Sequence, residues 1–460
     1  MKGRAIMRKH YLIEVAQNDQ LVVFCPPAIL KEKELKRIAF GSRSIEVDFI
    51  PHPDHDDRIS ISREIQQALQ YPSFNIPLHV FCSNQSLIIG PLVGIFTAGF
   101  TSLPLEPIGD RTQFFSKLLS VNKMVGALPF VFGEQHIDWD IGTIEGYFYH
   151  NNSWETVEIP FPNVIYDRLP NRRSENNPRL IKVRERLQKE YLIPWYNPGF
   201  FNKLEIHERL IQDETVFKFL PDTLPFTSFS SIETMLSTYG HVFIKPKNGS
   251  LGIGVHQIIY DKHSNDYYCR YQDTSNVNRL RKFSSLESLM GNVFANQSLE
   301  KMLVQQGINL LRTESRSIDF RVHTNKDDMG NWHVSAIAAK IAGPGSVTTH
   351  SRSGGDIKTI EEIFPNEECS LYSQRLSDAA LLLSSAMDRH VEGIIGEIGF
   401  DLGIDRNGEV WLFEANSKPG RTIFTHPELK EFDLLTRKLS IAFAVFLTEQ
   451  SLLHPEELIK

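Results

Sequence analysis

Paired cysteines, long apolar runs and a basic charge excess are all missing from this sequence, and each absence argues against a class of function. The four cysteines, Cys25, Cys82, Cys269 and Cys369, are scattered and form no C-x-x-C pair. That argues against a zinc knuckle or a disulfide framework and fits a reducing compartment. The most apolar stretch, residues 87–100, is broken by Gly90, Pro91, Gly94 and Thr97 and falls short of the ~18–20 residues that a spanning helix needs. It reads as a buried strand with its flanking turns. The start, MKGRAIMRKHYLIEV, has basic residues but no continuous apolar segment or small-residue cleavage site, so it does not read as a secretory signal and a cytoplasmic location is expected. A formal net charge of -7 creates no field to recruit nucleic acid.

The composition that is present is ordinary for a globular protein, 41% hydrophobic and 23% charged. At 460 residues the chain exceeds what one core can serve. Short strand-like runs at 21–25, 45–50 and 78–81 predict a small β-rich module over 1–88. An α/β domain is expected over 89–175, where the buried-type run LVGIFTAGF precedes helical apolar spacing at 114–123 and further strands. The polar, proline-bounded segment 169–178 marks the next boundary, and an α+β domain is expected over 176–460. His52, Asp54, His55 and Asp56 lie between prolines and read as a solvated loop rather than a metal site.

Two segments carry chemistry. In HVFIKPKNGSLGIGV, Lys245 ends an apolar strand before Gly249, Gly252 and Gly254. Glycines let backbone N–H groups approach phosphate oxygens, and a lysine adds a point charge. The loop is neither a Walker A motif nor the dinucleotide fingerprint, and alone it is weak evidence that reads more readily as a plain turn. In GFDLGIDRNGEVWLFEANSKPGR, Asp401 and Glu414 lie on two strands joined by a tight turn, with Asn416 two residues beyond Glu414. Period-two geometry places Glu414 and Asn416 on one face and hairpin pairing brings Asp401 alongside. Two acids among Phe400, Leu412 and Phe413 would repel each other if buried, and Mg²⁺ held with nucleotide phosphates would resolve that charge. Arg321 in IDFRV and Lys340 in AIAAKIA are lone cations in apolar strands. Each needs an anion, either a polyphosphate or a salt-bridge partner such as Asp319 or Glu397.

FIKPKNGSLGIGV, VQQGINL, DFRVH, GFDLGID and FEANSKPGR, within residues 202–421, resemble the ATP-grasp superfamily. GPLVGIFT, VFGEQHIDW, GYFY, PFPNVIYDRLPNR and FFNKLEIHERL extend the likeness to the YheC/YheD type, associated with endospore coats, and the β-rich start makes the chain more similar to the longer, YheD-like form. The resemblance implies an α+β fold: two α+β lobes gripping ATP, preceded by a small α/β pre-ATP-grasp domain and the β-rich module. It implies that Lys203 and Lys245 touch the phosphates and that Gly249, Ser250, Gly252 and Gly254 form a mobile lid. Gln305, Gln306 and Ile308 would lie on the adenine hinge, Arg321 would face the transferred phosphate, and Asp401, Glu414 and Asn416 would hold Mg²⁺. Asn309 departs from the acidic ribose-binding residue of many ATP-grasp ligases.

On this reading Lys245, Arg321 and Lys340 stabilise charge as a phosphoryl group passes from ATP to a carboxylate. An amine or thiol then attacks the acyl phosphate. The hydroxyl- and glycine-rich loop 343–356, with Ser351, Arg352, Gly354 and Gly355, is the candidate to close over the acceptor; a surface loop is the alternative. The other functional class is a non-catalytic ATP-binding adaptor partnered with spore coat proteins.

Overall fold

Runs of alternating or continuous apolar residues between Gly, Pro and Asn turns build four successive sheets in the computed structural model, which describes residues 9–17, 20–31, 34–52, 57–247, 252–295, 297–350 and 354–458. The first has eight strands. At its centre His10–Ala16 lies parallel to Arg58–Ser62 and antiparallel to Pro77–Ser83. The single strand expected at 45–50 is two, Arg43–Glu46 and Asp48–Pro51, which pair with different neighbours on either side of buried Val47. A chain that changes partners there has to bend, which apolar spacing alone does not signal.

In the second sheet Leu92–Phe96 lies between the parallel strands Leu128–Phe132 and Val164–Asp167. Pro178–Lys189 follows as a helix, with Asn177 accepting from Arg179 N at its start and Leu180, Val183 and Leu187 buried along one stripe. It returns the chain to the same sheet, where Trp195–Tyr196 pairs in parallel with Val164–Asp167.

The third sheet is antiparallel, in the spatial order Thr223–Pro225, Met302–Gln306, His241–Pro246, His256–Asp261, Asp266–Gln272, Asn278–Phe283. Helices Phe229–Tyr239 and Leu286–Val293 pack behind it. The fourth runs Asp356–Lys358, Trp332–Ile341, Arg316–Lys326, Glu397–Ile404, Val410–Asn416. This mixture of helices and antiparallel sheets is the α+β class.

Period-two alternation decides what the fourth sheet presents. Ile318, Phe320 and Val322 are buried against Leu376, Ala379 and Leu383 of helix Asn366–His390, so Asp319, Arg321 and His323 lie on the opposite face. That helix begins at Asn366. Its first turns are polar, and only tertiary contacts such as Phe364 against Tyr372, 4.7 Å between ring centres, reveal them. The closing helix, Lys430–Leu453, buries Ile441, Phe443, Val445 and Leu447 among Val93, Ile95, Val131 and Tyr166 of the second sheet. Each such side chain contributes about 1.5–3 kcal/mol. No helix among the described residues is long and apolar enough to cross a membrane.

Candidate functional site

The third and fourth sheets face each other across a cleft, and Lys245 joins the two. Its ammonium donates to Gln305 Oε1 at 2.8 Å within its own sheet and to the Phe413 carbonyl at 3.4 Å across the cleft. Gln305 is held in turn, donating to Thr223 Oγ1 at 2.8 Å. Lys245 is only 8% exposed and has no ion-pair partner among the described residues. Burial first, then the neighbouring Lys203 charge, bring its pKa down to about 7. Lys203 opens helix Lys203–Leu210, which Asn202 caps by accepting from Leu204 N at 3.0 Å, and its Nζ lies 3.3 Å from Glu414 Oε2. Between these groups is a cavity walled by Ile206, Leu303 and Leu412, with Lys245, Gln305 and Glu414 at its polar side.

In the fourth sheet Asp401 stands in register between Arg321 and Glu414. Arg321 grips both Asp401 oxygens, at 2.9 and 3.0 Å, and Lys340 Nζ reaches Asp401 Oδ1 at 2.7 Å and Asp319 Oδ1 at 2.9 Å. Burial alone would raise the Asp401 pKa; Arg321 and Lys340 outweigh it and hold the group well below the usual carboxylate range. For Asp319 burial wins and the pKa rises, despite Lys340 and a 2.5 Å bond from Thr349 Oγ1. Asp401 is therefore the stronger acid of the two. Lys340, which burial would depress, is raised by its two acids.

The structure thus brings Lys203, Lys245, Gln305, Arg321, Lys340, Asp401 and Glu414 to one cleft. The charge of Asp401, assigned to a metal on sequence grounds, is here balanced by Arg321 and Lys340, whose alternative partner Asp319 does engage Lys340. Glu397 does not; it lies with Arg168 and Arg421. Asn416 shares the Glu414 face, its Nδ2 donating to the Gly399 carbonyl at 3.4 Å. No cluster of three or more His, Cys, Asp or Glu able to hold a metal occurs among the described residues. Mg²⁺ needs no such cage, because it binds through one or two carboxylates, phosphates and retained waters. Glu414, 28% exposed at its side chain, and Asn416 are hard oxygen donors that fit this requirement.

Gln306 points away from the cavity, its Oε1 accepting from Asp222 N at 3.1 Å, and Ile308 lies past the strand end, its carbonyl accepting from Leu310 N at 3.0 Å. Gly252 and Gly254 have φ of +72° and +75°, backbone that side chains with a Cβ rarely adopt. A Cβ on Gly252 would lie 3.0 Å from Thr348 Oγ1, so the glycine loop abuts loop 343–350. Gly354 and Gly355 fold back on that loop, where a Cβ on Gly355 would meet the Thr349 carbonyl at 2.3 Å. Gly249, Ser250, Ser351 and Arg352 lie outside the described residues.

Sequence reasoning missed Thr349 and the Phe413 carbonyl, which only tertiary contact brings in. It also missed the device that joins this site to the second sheet. Asn197 donates to the carbonyls of Glu397 and Ser417, both at 2.7 Å. Lys418, 3% exposed at its side chain, pairs with Asp167 at 2.5 Å.

Comparison with known proteins accords with this architecture. A family model described as YheC/D like ATP-grasp matches residues 192–447, more than half of the chain. The chain is similar to endospore coat-associated protein YheD of Bacillus subtilis, 39% identical over 98% of this chain and 99% of that one. It is also similar to endospore coat-associated protein YheC of the same organism, 23% identical over 73% of this chain and 93% of the relative. Among solved structures, D-alanyl-alanine synthetase A from Vibrio cholerae aligns with 76% of this chain and 98% of its own, at 13% identity and a TM-score of 0.41, a likeness too slight to carry a functional argument. On the strength of the family match and the near full-length relative, the chain belongs to the YheC/D-like family of ATP-grasp proteins.

Proposed function

We propose that this protein binds Mg-ATP between its third and fourth sheets and ligates a carboxylate to an amine or thiol through an acyl phosphate. The endospore coat, with which its relatives are associated by name, is the proposed context, in coat or envelope formation. The observation that carries the reading is Lys245, a buried ammonium whose hydrogen-bond partners among the described residues are all neutral. Phosphate oxygens are the partner such a group lacks.

Lys203 and Lys245 would meet ground-state phosphate charge. Arg321 and Lys340, held in place by Asp401, are aimed where charge develops as the terminal phosphoryl leaves ADP and bonds to a carboxylate oxygen. Mg²⁺, when bound, supplies charge neutralisation at the phosphate oxygens, with Glu414 and Asn416 as the residues to hold it. Gly252, against Thr348, and Gly254, against Pro246, shield the cleft from water while the incoming amine displaces phosphate.

Saturating Mg-ATP, at about 100 times its Kd, is expected to stabilise the fold by about 2.7 kcal/mol and to raise the melting temperature. Calorimetry above pH 7 in two buffers of different ionisation enthalpy is expected to show proton uptake. Phosphate raises the depressed Lys245 pKa, so the complex binds a proton the free protein has released, and affinity falls as pH rises from about 7. No thermal shift together with no heat would remove the nucleotide assignment. Lack of proton uptake would remove Lys245 from it.

Glu414→Gln deletes a charge with little volume at a partly exposed site. The variant is expected to keep the wild-type melting temperature within about 2 °C while losing the Mg²⁺ dependence of nucleotide binding. An unchanged Mg²⁺ titration would reassign Glu414 to its ion pair with Lys203.

A further inference from the structure

Between the second and fourth sheets lies a group of arginines that the nucleotide cleft leaves unused. Arg168 and Arg421 share Glu397, at 3.2 and 3.1 Å, and both guanidinium groups lie over the Phe114 ring, 4.9 and 5.5 Å from its centre. Arg421 also reaches Asp433 at 3.1 Å, an acid it divides with Arg437 at 3.0 Å. Arg111, at the start of helix Thr112–Leu119, lies 5.4 Å from the Phe115 ring centre. It donates to Thr97 Oγ1 at 2.8 Å and to the Ala98 carbonyl, and it has no acid partner among the described residues. Thr97 in turn donates to the Arg168 carbonyl at 2.8 Å, which keeps the two arginines adjacent. Three guanidinium groups, of Arg168, Arg421 and Arg437, therefore share two carboxylates, Glu397 and Asp433, and Arg111 stands beside Arg168 engaging neither acid. Gathering like charges in a part-buried place is unfavourable without an anion to meet them.

Two buried groups on the same path also lack partners. Among the described residues Arg421 Nε has no hydrogen-bond acceptor, and neither ring nitrogen of His323 has a partner. His323 is fully buried and sits two residues beyond Arg321 on the same strand face. Its ring lies 5.4 Å from that of Phe424, over which Arg421 sits at 5.8 Å. Burial, then the Arg321 and Arg421 charges, keep this imidazole neutral, so it presents one donor and one acceptor. Buried polar groups are ordinarily satisfied, and unsatisfied ones call for a missing partner.

We infer that Arg111, Arg168 and Arg421, with His323 at their inner end, form a second anion subsite that holds a carboxylate or phosphate group of the acceptor molecule. The inference rests on the ligase reading and narrows its substrate. Arg321 and His323 share a strand face, so an acceptor anchored at the arginines extends toward Arg321. It must then carry an anionic group besides the carboxylate to be activated. Neutral and cationic acceptors meet uncompensated positive charge here.

The test is titration of the full chain at constant ionic strength with glutarate, inorganic phosphate and acetate, for the wild type, Arg111→Gln and Arg321→Ala. Arg111 makes no ion pair among the described residues, so its neutralisation leaves the surrounding salt bridges intact. Glutarate or phosphate is expected to bind about tenfold or more tightly than acetate, and Arg111→Gln to weaken that binding by about tenfold. Preference for glutarate identifies a carboxylate as the anchoring group, and preference for phosphate a phosphoryl group. Binding no tighter than acetate, equal binding in Arg111→Gln, or loss in Arg321→Ala alone would each overturn the subsite. Should Arg111→Gln fail to fold, Arg111→Lys carries the test, because losing the two-pronged donor is expected to cost severalfold in affinity and unchanged binding overturns the inference. Mg-ATP affinity is measured on the same samples. Its absence in the wild type counts against the nucleotide reading, whereas the anion titrations decide the subsite.

Discussion

Arg321→Ala is expected to keep Mg-ATP affinity within about threefold of wild type while ADP release with a carboxylate acceptor falls by on the order of a hundredfold or more. An interaction made chiefly as charge develops affects turnover and not ground-state binding. Arg321 suits that role because Asp401 already neutralises it in the resting protein, leaving Lys203 and Lys245 to meet ground-state phosphate. The same pairing adds a cost in stability. Removing one partner of a buried ion pair costs about 3–5 kcal/mol, and Lys340, 2.7 Å from Asp401, limits that loss by retaining one cation. Arg321→Lys separates the two effects, since it keeps charge and loses the fork that grips both oxygens. It is expected to melt close to wild type and still release ADP slowly. Parallel losses of affinity and turnover would make Arg321 a ground-state anchor instead. Wild-type protein that binds Mg-ATP yet releases no ADP across acidic acceptors would favour a non-catalytic, ATP-binding adaptor.

Asp167→Ala is expected to lower stability by about 3–5 kcal/mol without touching the nucleotide cleft. Asp167 is fully buried at the end of its strand and accepts from Lys418 Nζ, from Trp195 Nε1 at 3.0 Å and from Leu169 N at 3.1 Å. Its removal leaves three donors buried without an acceptor, one of them charged. Burial already depresses the Lys418 pKa, with Asp167 opposing it, so the orphaned amine is expected to shed its proton rather than remain charged. The double variant Asp167→Ala with Lys418→Met removes that unsatisfied amine and is expected to recover part of the loss. Urea denaturation followed by tryptophan fluorescence measures both. Equal midpoints for wild type and Asp167→Ala would show that the second and fourth sheets are held together by other contacts.

Local pattern carried much of what the sequence told. Alternation in SIDFRVHT and WHVSAIAAK, with polar residues between, is enough to specify a hairpin and to put Arg321 and Lys340 opposite its apolar face. The tight turn at residues 406–408 is enough to set Asp401 beside Glu414. These features depend on residues close in the chain, and the structure reproduces them: Arg316–Lys326 pairs with Trp332–Ile341, and Asp401 opposes Glu414. Features set by partners far along the chain were not legible. Residues 366–377 show little apolar periodicity, and they are helical because Tyr372 and Leu376 reach a core assembled from elsewhere.

The sequence by itself determined the family, the order of the chemical groups and the face on which each stands, because family likeness and strand period are local properties. Tertiary structure alone decided which charges meet. It gave Asp401 to Arg321 and Lys340, left Lys245 with neutral partners, and gathered Arg168, Arg421 and Arg437 around two acids. A charge is satisfied by whatever lies within a few ångströms of it, and residues 61 and 80 positions apart in the chain come that close only once the sheet has formed.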